Sequence, residues 1–260
     1  SLEVPLPPPT MQQAIVARWQ KAQQKIAAAM ERVEGLAQKT EGEILAKLSI
    51  SFKPPTPQRG AFAFKWKDYE RWDTFFYRAD FLDLDRRLSS MKHAPLGEIL
   101  KFSSRPWNKK DFPTGSFRYV EISGVSKEEG VFEYRDVEVN QAPSRATTLI
   151  KTGDIILATT RPYLGAFALV SKGYDGCVCS SGFSLATGLK TNDVDVNYLL
   201  FFLKSAAGLR QMERRMTGGL YPAIVQDELE RIKIPLPSLD VQRKIATQAE
   251  ASRFEIAREQ

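Results

Sequence analysis

Basic and aromatic side chains alternate in one stretch of the chain, a mixture suited to contacting phosphate groups and stacking on planar rings. Residues 92–119 hold six Lys or Arg side chains against two carboxylates, with large aromatic side chains among them. A second basic run, residues 204–215, sets four basic side chains against one glutamate. For any one of these cations, a solvated helix face or a charged loop is the better explanation. The aromatic residues interleaved with the basic ones include Trp107, Phe112 and Tyr119.

The chain offers little for catalysis. His93 is its only histidine, so a catalytic triad or a metal site would have one imidazole at most. The only cysteines are Cys177 and Cys179, which excludes an all-Cys/His zinc site. Both fall in a predicted strand, where a buried and unreactive thiol is the usual case. The glycines after Gly182 lack the spacing of a phosphate-binding loop, and no Gly-x-Gly-x-x-Gly turn is present. The sequence therefore predicts a protein that is not an enzyme, with no cofactor and no metal in this chain.

Two helices are predicted on either side of the basic residues in the sequence, each with a stripe of apolar side chains, or seam, along one face. From Ile15 the apolar side chains recur in alternating steps of four and three, which is the spacing of a coiled coil. The pattern continues to about Leu48, a length of roughly 55 Å, and such a helix needs a partner to cover its seam. The same spacing returns near the end of the chain. The predicted pairing residues are Ile15, Trp19, Ala22, Ile26, Ala29, Val33 and Leu36 in the first helix, and Val241, Ile245, Ala249, Ser252 and Ile256 in the second.

A short pattern near the start of the chain is repeated near its end. Val4–Pro7, followed by Gln12–Ile15, returns as Ile234–Pro237, followed by Gln242–Ile245. Each copy leads from an apolar run through prolines into a helix, so a unit of domain plus helix is duplicated. A chain of this kind usually presents two similar surfaces to a partner that is itself repetitive or pseudo-symmetric.

Between the helices the pattern predicts an α+β fold, a β-rich globular domain flanked by long α-helices that pair as an antiparallel coiled coil. Prolines and a glycine predict a hinge at residues 52–61, and the aromatic residues from Trp66 to 91 predict a helix joined to a docking turn. The predicted strands are 118–122, 148–150, 154–158, 166–170, 177–179, 183–186 and 232–236, with a helix at 196–216.

Composition sets broad limits. The 260 residues, 43% of them hydrophobic, are enough for one large domain or two smaller units. The net charge of +6 is modest for a nucleic-acid-binding protein and decides little alone. No apolar run is long enough to span a membrane and no signal peptide is evident, so a cytoplasmic protein with no membrane partner is predicted. Because the chain begins at Ser1 and stops inside a helical pattern at Gln260, we expect a piece of a longer protein.

An ordered series of peptides resembles the target recognition domain of the specificity subunit of type I restriction-modification systems. The resemblance covers most of the chain from about residue 66, and the first proline–helix joint then resembles the tail of a preceding recognition domain plus the central spacer. The peptides are Trp72–Phe81, Gly153–Leu157, Arg161–Gly165, Cys179–Phe183, Tyr198–Leu203, Gly218–Ile224 and Ile234–Pro237 before Gln242–Ile245. The resemblance implies five divisions of the chain. Residues 1–9 are the tail of the preceding recognition domain, residues 10–50 a long spacer helix of the central conserved region, and residues 51–91 the hinge and docking segment. Residues 92–237 are the target recognition domain, and residues 238–260 are the start of a second spacer helix.

The resemblance implies a cytoplasmic, non-catalytic DNA-binding subunit. In this family two recognition domains each read one half of a split double-stranded DNA site. Paired helices fix the separation of the halves, which must stay in phase with the DNA helical repeat. The helices also dock the methyltransferase (modification) subunits, and the restriction subunit joins through the complex. S-adenosylmethionine is then expected in the methyltransferase partner. This chain departs from the family in having one complete recognition domain, so it reads one half-site, or two if it forms a homodimer through its helices.

Two groups of side chains are predicted to contact DNA, although recognition residues differ between family members and the motifs do not assign them. A purely structural role for Arg161–Gly165 as a turn, and for Gly218–Pro222 as a loop, is equally open. The residues favoured for phosphate contact are Lys101, Lys109, Lys110, Arg214 and Arg215, and those favoured for base edges or the groove are Arg105, Trp107, Arg145, Arg161 and Tyr221.

Three other functions are left open by the sequence. One is an assembly module whose coiled coil binds proteins while the β-rich domain never touches DNA. Another is an enzyme with a cysteine or carboxylate site, which the missing motifs make the weakest option. The third is the recognition end of a larger, fused restriction enzyme.

Overall fold

The computed structural model describes residues 6–50, 69–111, 114–128 and 130–259. The predicted hinge at residues 52–61, Trp66 and Phe112 lie outside these ranges. The helices are α1 Pro9–Lys47, α2 Ala79–Ser89, α3 Leu96–Ile99, α4 Val196–Lys204, α5 Ala206–Arg215, α6 Gln226–Glu230 and α7 Leu239–Glu259. The strands are β1 His93–Pro95, β2 Leu100–Ser103, β3 Ser116–Val120, β4 Val125–Ser126, β5 Gly130–Val131, β6 Arg135–Glu138, β7 Ala146–Leu149, β8 Ile155–Ala158, β9 Phe167–Leu169, β10 Val178–Ser180, β11 Phe183–Leu189 and β12 Lys233–Pro235.

Two four-stranded sheets form the β-rich domain, which confirms the α+β prediction. One sheet has the order β6-β3-β10-β7 with a parallel β3–β10 pair, and the other has the order β2-β11-β8-β9 and is antiparallel. All four residues of β8 are buried and apolar, as expected of a strand covered on both faces. Because Phe183 pairs with Ala158, the β8–β9 turn and the β10–β11 connection lie at the same end of the sheet.

The single helix predicted at residues 196–216 is wrong, because the chain breaks at Ser205 into α4 and α5. Ser205 has extended backbone angles, and its hydroxyl oxygen accepts a hydrogen bond from the Gly208 amide at 3.4 Å. A serine oxygen can cap a helix start in this way, which competes with continuing the previous helix. Gly208 has to be a glycine, because a Cβ there would lie 2.3 Å from the Phe202 carbonyl oxygen. The break lets α5 fold back closely on α4.

The segment from Tyr69 to Met91 packs on α5 through aromatic rings and arginines. Phe76, Phe81 and Leu88 are fully buried. The Arg214 guanidinium carbon lies 4.1 Å from the centroid of the Phe76 ring, and its Nε donates to the Phe76 carbonyl oxygen at 3.1 Å. Stacking of a guanidinium on a ring adds to the burial of apolar area. This segment therefore anchors the chain on α5 before the first strand.

The two long helices pair, but only where the end of α1 meets the middle of α7. Ile44, Leu45, Ile245 and Ala249 are buried. Lys47 Nζ donates to Gln248 Oε1 at 2.5 Å, and Ser252 Oγ donates to Thr40 Oγ1 at 3.1 Å. Since the residue number falls along α1 as it rises along α7, the pair is antiparallel, as predicted. Val241 is exposed, and the side chain of Ile256 lies outside the described residues.

The first half of the α1 seam is not covered within the described part of the chain. Ile15, Trp19 and Ile26 are 56%, 61% and 52% exposed, and Ala22 is also exposed. Ala29, Val33 and Leu36 are half-buried or close to it. The pairing predicted for the first four residues is therefore not made by any described part of the chain, because α7 reaches only the other end of α1.

Candidate nucleic-acid interface

Three peptides far apart in the sequence meet at one end of the sheets. The Arg161 amide donates to the Pro222 carbonyl oxygen at 2.8 Å, and the Ile224 amide donates to the Thr159 carbonyl oxygen at 2.9 Å. The Thr159 amide in turn donates to the Gly182 carbonyl oxygen at 2.7 Å. The β8–β9 turn, the loop at residues 217–223 and the β10–β11 connection are thus held together by backbone hydrogen bonds.

Arg161 has an unusual backbone and an exposed side chain. Its φ of 49° and ψ of 52° lie in the left-handed region, which costs a non-glycine residue about 1–2 kcal/mol. Its guanidinium carbon lies 5.4 Å from the centroid of the Tyr221 ring, and that ring is 67% exposed. Strain of this kind persists where the surroundings enforce it, and it is concentrated at functional sites. The strained turn therefore presents a cation and an aromatic ring together to solvent.

Gly182 allows the β10–β11 connection to join this group. A Cβ at Gly182 would lie 2.6 Å from Ile122 Cδ1 and 3.3 Å from Thr160 Oγ1. A larger residue would require the end of the Ile122 side chain to move and would crowd Thr160, so glycine is the residue that fits here without adjustment. The next backbone contact extends the same surface, because the Ser181 amide donates to the Arg145 carbonyl oxygen at 2.7 Å.

The segment that follows β2 brings two further cations, Lys109 and Lys110, toward this surface. Pro106 pairs with Thr148, and the Trp107 amide donates to the Thr147 carbonyl oxygen at 2.7 Å. This antiparallel pairing carries the chain along β7 toward Arg145. Beyond it the exposed Lys109 and Lys110 begin a short 3₁₀ turn. We call the surface formed by Lys109, Lys110, Arg145, Arg161 and Tyr221 the recognition edge.

Trp107 and Lys101 lie near this surface, but the first side chain is half-buried and the second is exposed. Trp107 is half-buried, with its ring centroid 4.4 Å from that of Phe117. The two rings line an open cavity of about 430 Å³ together with Leu149 and Val178. Lys101 is exposed on β2, an edge strand of its sheet. The structure brings neither side chain into the group around Arg161.

The predicted base contact of Arg105 is corrected by the structure. The Arg105 guanidinium forms a two-point hydrogen-bonded ion pair with Asp154, one of whose bonds measures 3.2 Å, and also donates to the Leu149 carbonyl oxygen at 3.1 Å. The Asp154 side chain is buried. A buried carboxylate needs such a partner, so this arginine stabilises the fold and its donors are directed inward.

The predicted phosphate contacts of Arg214 and Arg215 are corrected as well. Both side chains are less than one-tenth exposed. Arg214 stacks on Phe76, and Arg215 Nη1 lies 2.6 Å from Glu228 Oε2. Burial between aromatic rings and carboxylates is the usual setting of an arginine that joins two segments. These two residues hold the segment from Tyr69 to Met91 on α5.

One contact that the sequence did not suggest joins α1 to the β-rich domain. Glu41 Oε1 accepts a hydrogen bond from the amide of Ala206, the first residue of α5. Glu41 Oε2 also lies 3.8 Å from Lys127 Nζ. A carboxylate at a helix N-terminus satisfies a free amide and is favoured by the helix dipole. Since the two partners are separated by 165 positions, no local sequence pattern marks this joint.

The described residues contain no other group with the chemistry of an active site. No cluster of three His, Cys, Asp or Glu side chains that could hold a metal occurs among them. Cys177 and Cys179 are buried, and burial raises the pKa of Cys179 to about 12, so its thiol is protonated and unreactive. Among the same residues, no helix is long and apolar enough to cross a membrane.

Comparisons with known proteins agree with this architecture. Residues 89–249, more than half of the chain, match the family model of the type I restriction modification DNA specificity domain. The HsdS subunit from Thermoanaerobacter tengcongensis is 31% identical with a TM-score of 0.53, and the match covers 64% of this chain and 43% of that one. A chain from a structural study of complex assembly and conformational transition of the type I R-M system is also 31% identical, with a TM-score of 0.54 and coverages of 63% and 42%. The comparison with curated proteins gave no match.

A mixed domain of two small sheets, with loops gathered at one end and a long helix on its flank, is the architecture of a DNA specificity module. This chain belongs to the type I restriction modification DNA specificity domain family. It spans less than half the length of these two solved structures.

Proposed function

We propose that this chain is the recognition part of a type I specificity subunit, and that its recognition edge reads one half of a bipartite double-stranded DNA site. The observation that carries the proposal is the grouping of four exposed cations and one exposed tyrosine on loops fixed by the two sheets. Loops on a rigid scaffold combine variable side chains with a fixed position, which is what sequence reading requires.

Within this edge we assign two kinds of contact. Lys109 and Lys110 begin an exposed turn and contact phosphates, which gives affinity without sequence preference. Arg145, Arg161 and Tyr221 lie on the loops at the strand ends and reach base edges, where an arginine can bind guanine through two hydrogen bonds. Each such base contact is worth about 1–3 kcal/mol of discrimination against a wrong base.

The long helices supply spacing and docking rather than chemistry. The exposed seam of α1 from Ile15 to Ile26 fits a further helix of the complex, because an apolar stripe of this length is not stable in water alone. Methyltransferase subunits that carry S-adenosylmethionine are the proposed partners, and the restriction subunit joins through them. This chain itself contributes no catalysis.

The DNA assignment is tested by fluorescence anisotropy with a duplex of mixed sequence at several salt concentrations. Replacing both Lys109 and Lys110 by Ala is expected to lower the slope of log affinity against log salt by about 2, since each phosphate contact contributes about 0.9. Lys172→Ala is the matched control, because Lys172 is exposed at the opposite end of β9. An unchanged slope in the double variant would show that this loop does not contact DNA.

Sequence reading is tested in the complex. The chain is co-purified with the methyltransferase subunit encoded beside it, and the methylated sites are mapped. Arg161→Ala and Tyr221→Ala are expected to relax or move the preference at one or two positions without changing subunit assembly. Methylation at one short motif, or at an inverted pair with fixed spacing, supports the proposal, and the second result also demonstrates a homodimer. Identical specificity in both variants would refute the role given to Arg161 and Tyr221.

The exposed α1 seam favours one alternative, an assembly module whose β-rich domain does not bind DNA. That function predicts a stable complex with the methyltransferase subunit, no salt-dependent DNA binding by the pure chain, and no selective methylation. The recognition end of a fused restriction enzyme would bind DNA in the same way as a separate subunit.

A further inference from the structure

Lys204, at the end of α4, is buried where the β-rich domain meets the helix pair. Its relative exposure is 5%. The described residues offer its ammonium group no hydrogen bond or ion pair, although a buried charge normally has both. Burial, and after it the positive charge of Arg253, lower the pKa of Lys204 to about 7. An isolated amine in such a place is unfavourable for folding, so its presence calls for a functional reason.

Two neighbouring cavities adjoin this lysine. One has a volume of about 120 Å³ and lies between α1, α7, the end of α4 and the loop after β4. The other has about 180 Å³ and lies between α4, α7 and the β-rich domain. Phe201, Lys204, Ala249 and Arg253 line both. The lysine therefore lies at the boundary of a space large enough for several waters or a small ion, and the second cavity is the one with the more polar lining.

Arg253 is the second cation of this space. It lies on α7, is exposed and lines both cavities. It makes no hydrogen bond or ion pair with the described residues, although the negative charges of Glu128 and Glu250 act on it. The mutual effect of the two cations is repulsive, as the lowered pKa of Lys204 shows. Two cations close together with no carboxylate bonded to either form an attractive site for an anion.

The carboxylates around the space do not neutralise Lys204. On α1, Glu41 is bonded to the Ala206 amide and lies beside Lys127. In the loop after β4, Glu128 is exposed to solvent, and on α7 Glu250 is exposed as well. Glu128 raises the pKa of the lysine, but burial and the charge of Arg253, which lower it, are the larger effects.

We propose that this junction binds a small tetrahedral oxyanion of the phosphate class between Lys204 and Arg253. The anion accepts hydrogen bonds from both side chains and joins α4 to α7, so it fixes the β-rich domain to the helix pair. The site is separate from the recognition edge and does not depend on DNA binding.

The probe is inorganic sulfate, a tetrahedral oxyanion with the same charge throughout the relevant pH range. Calorimetric titration at about pH 6, pH 7, pH 8 and pH 9, with chloride at equal ionic strength as the reference, is expected to show saturable binding by the unaltered chain. The affinity should fall about tenfold for each pH unit above 7, because the neutral amine no longer attracts the anion. Thermal unfolding should show a matching rise of Tm with sulfate.

The variants separate this site from other cationic surfaces. Lys204→Met, which removes an unpaired buried amine and should fold well, and Arg253→Gln are each expected to weaken sulfate binding about tenfold or more. The paired variant Lys109→Gln with Lys110→Gln should keep sulfate binding while losing DNA affinity. Undiminished binding in Lys204→Met, or chloride-like behaviour of sulfate with the unaltered chain, would overturn the proposal.

Discussion

Replacing Lys204 by Met is expected to stabilise this protein, and to do so most at low pH. Lowering the pKa of an amine from 10.5 to about 7 on folding corresponds to about 5 kcal/mol at pH values below 7, because each pKa unit is worth about 1.4 kcal/mol. In the unaltered chain the unfolded state binds more protons between these two pKa values. Stability therefore rises as the pH rises from 7 to about 10, and the full loss is present below pH 7.

The measurement is urea unfolding followed by circular dichroism at about pH 6, pH 7, pH 8 and pH 9 in chloride buffer. We expect Lys204→Met to raise the free energy of unfolding by about 3–5 kcal/mol at pH 6, and this difference to shrink steadily above pH 7. The difference between the two proteins removes the contribution of every other titrating group. Lys244→Met, an exposed position on α7, is the control and should change little. A destabilised Lys204→Met variant, or a difference that does not vary with pH, would refute the reasoning.

Three other substitutions or probes test the interior contacts. Arg105→Gln should lower the free energy of unfolding by about 3–5 kcal/mol in urea, because Asp154 is left buried without its partner; a midpoint equal to that of the unaltered chain would contradict this pair. Glu41→Ala should cost about 1 kcal/mol and lower Tm through loss of the α5 cap, whereas Glu43→Ala, exposed on the same helix, should have no effect. A thiol reagent at about pH 8 should label Cys179 only in the unfolded chain; rapid labelling of the folded protein would show that this strand opens.

The elements that the sequence predicts well are those that bury a continuous apolar run. β8 falls inside the range predicted for it, because all of its residues are apolar and buried. The strands β2 and β6 were not predicted. Both lie at the edge of their sheets, where one face and one row of hydrogen-bonding groups meet solvent, so their residues show no clear apolar pattern. Their place is set by the neighbouring strand rather than by their own composition.

The residues of the candidate site likewise fall into those that the sequence predicts and those that it does not. The family motifs mark the peptides around Arg161 and Tyr221 in the sequence without relating them to each other, and the structure brings the two side chains together. The positive charge that Arg105 and Arg145 share could not predict that Arg105 pairs with a buried carboxylate while Arg145 is exposed. Asp154 lies 49 positions from Arg105, and Phe76 lies 138 positions from Arg214. Tertiary packing decides whether an arginine faces a buried carboxylate, an aromatic ring or solvent. The periodicity of the sequence carries no information about this packing.

The contact between Glu41 and the start of α5 also determines how accurately the far end of α1 is positioned. From Glu41 to the start of α1 at Pro9 the helix extends about 50 Å, and the exposed part of its seam lies along this arm. A change of about 5° in the angle at the joint would move the far end of the arm by about 4 Å. Successive bases along a DNA strand are about 3.4 Å apart. Under the proposed function, in which the helices set the distance between two halves of a DNA site, a rotation of this size at the Glu41 contact would be an error of about one base pair.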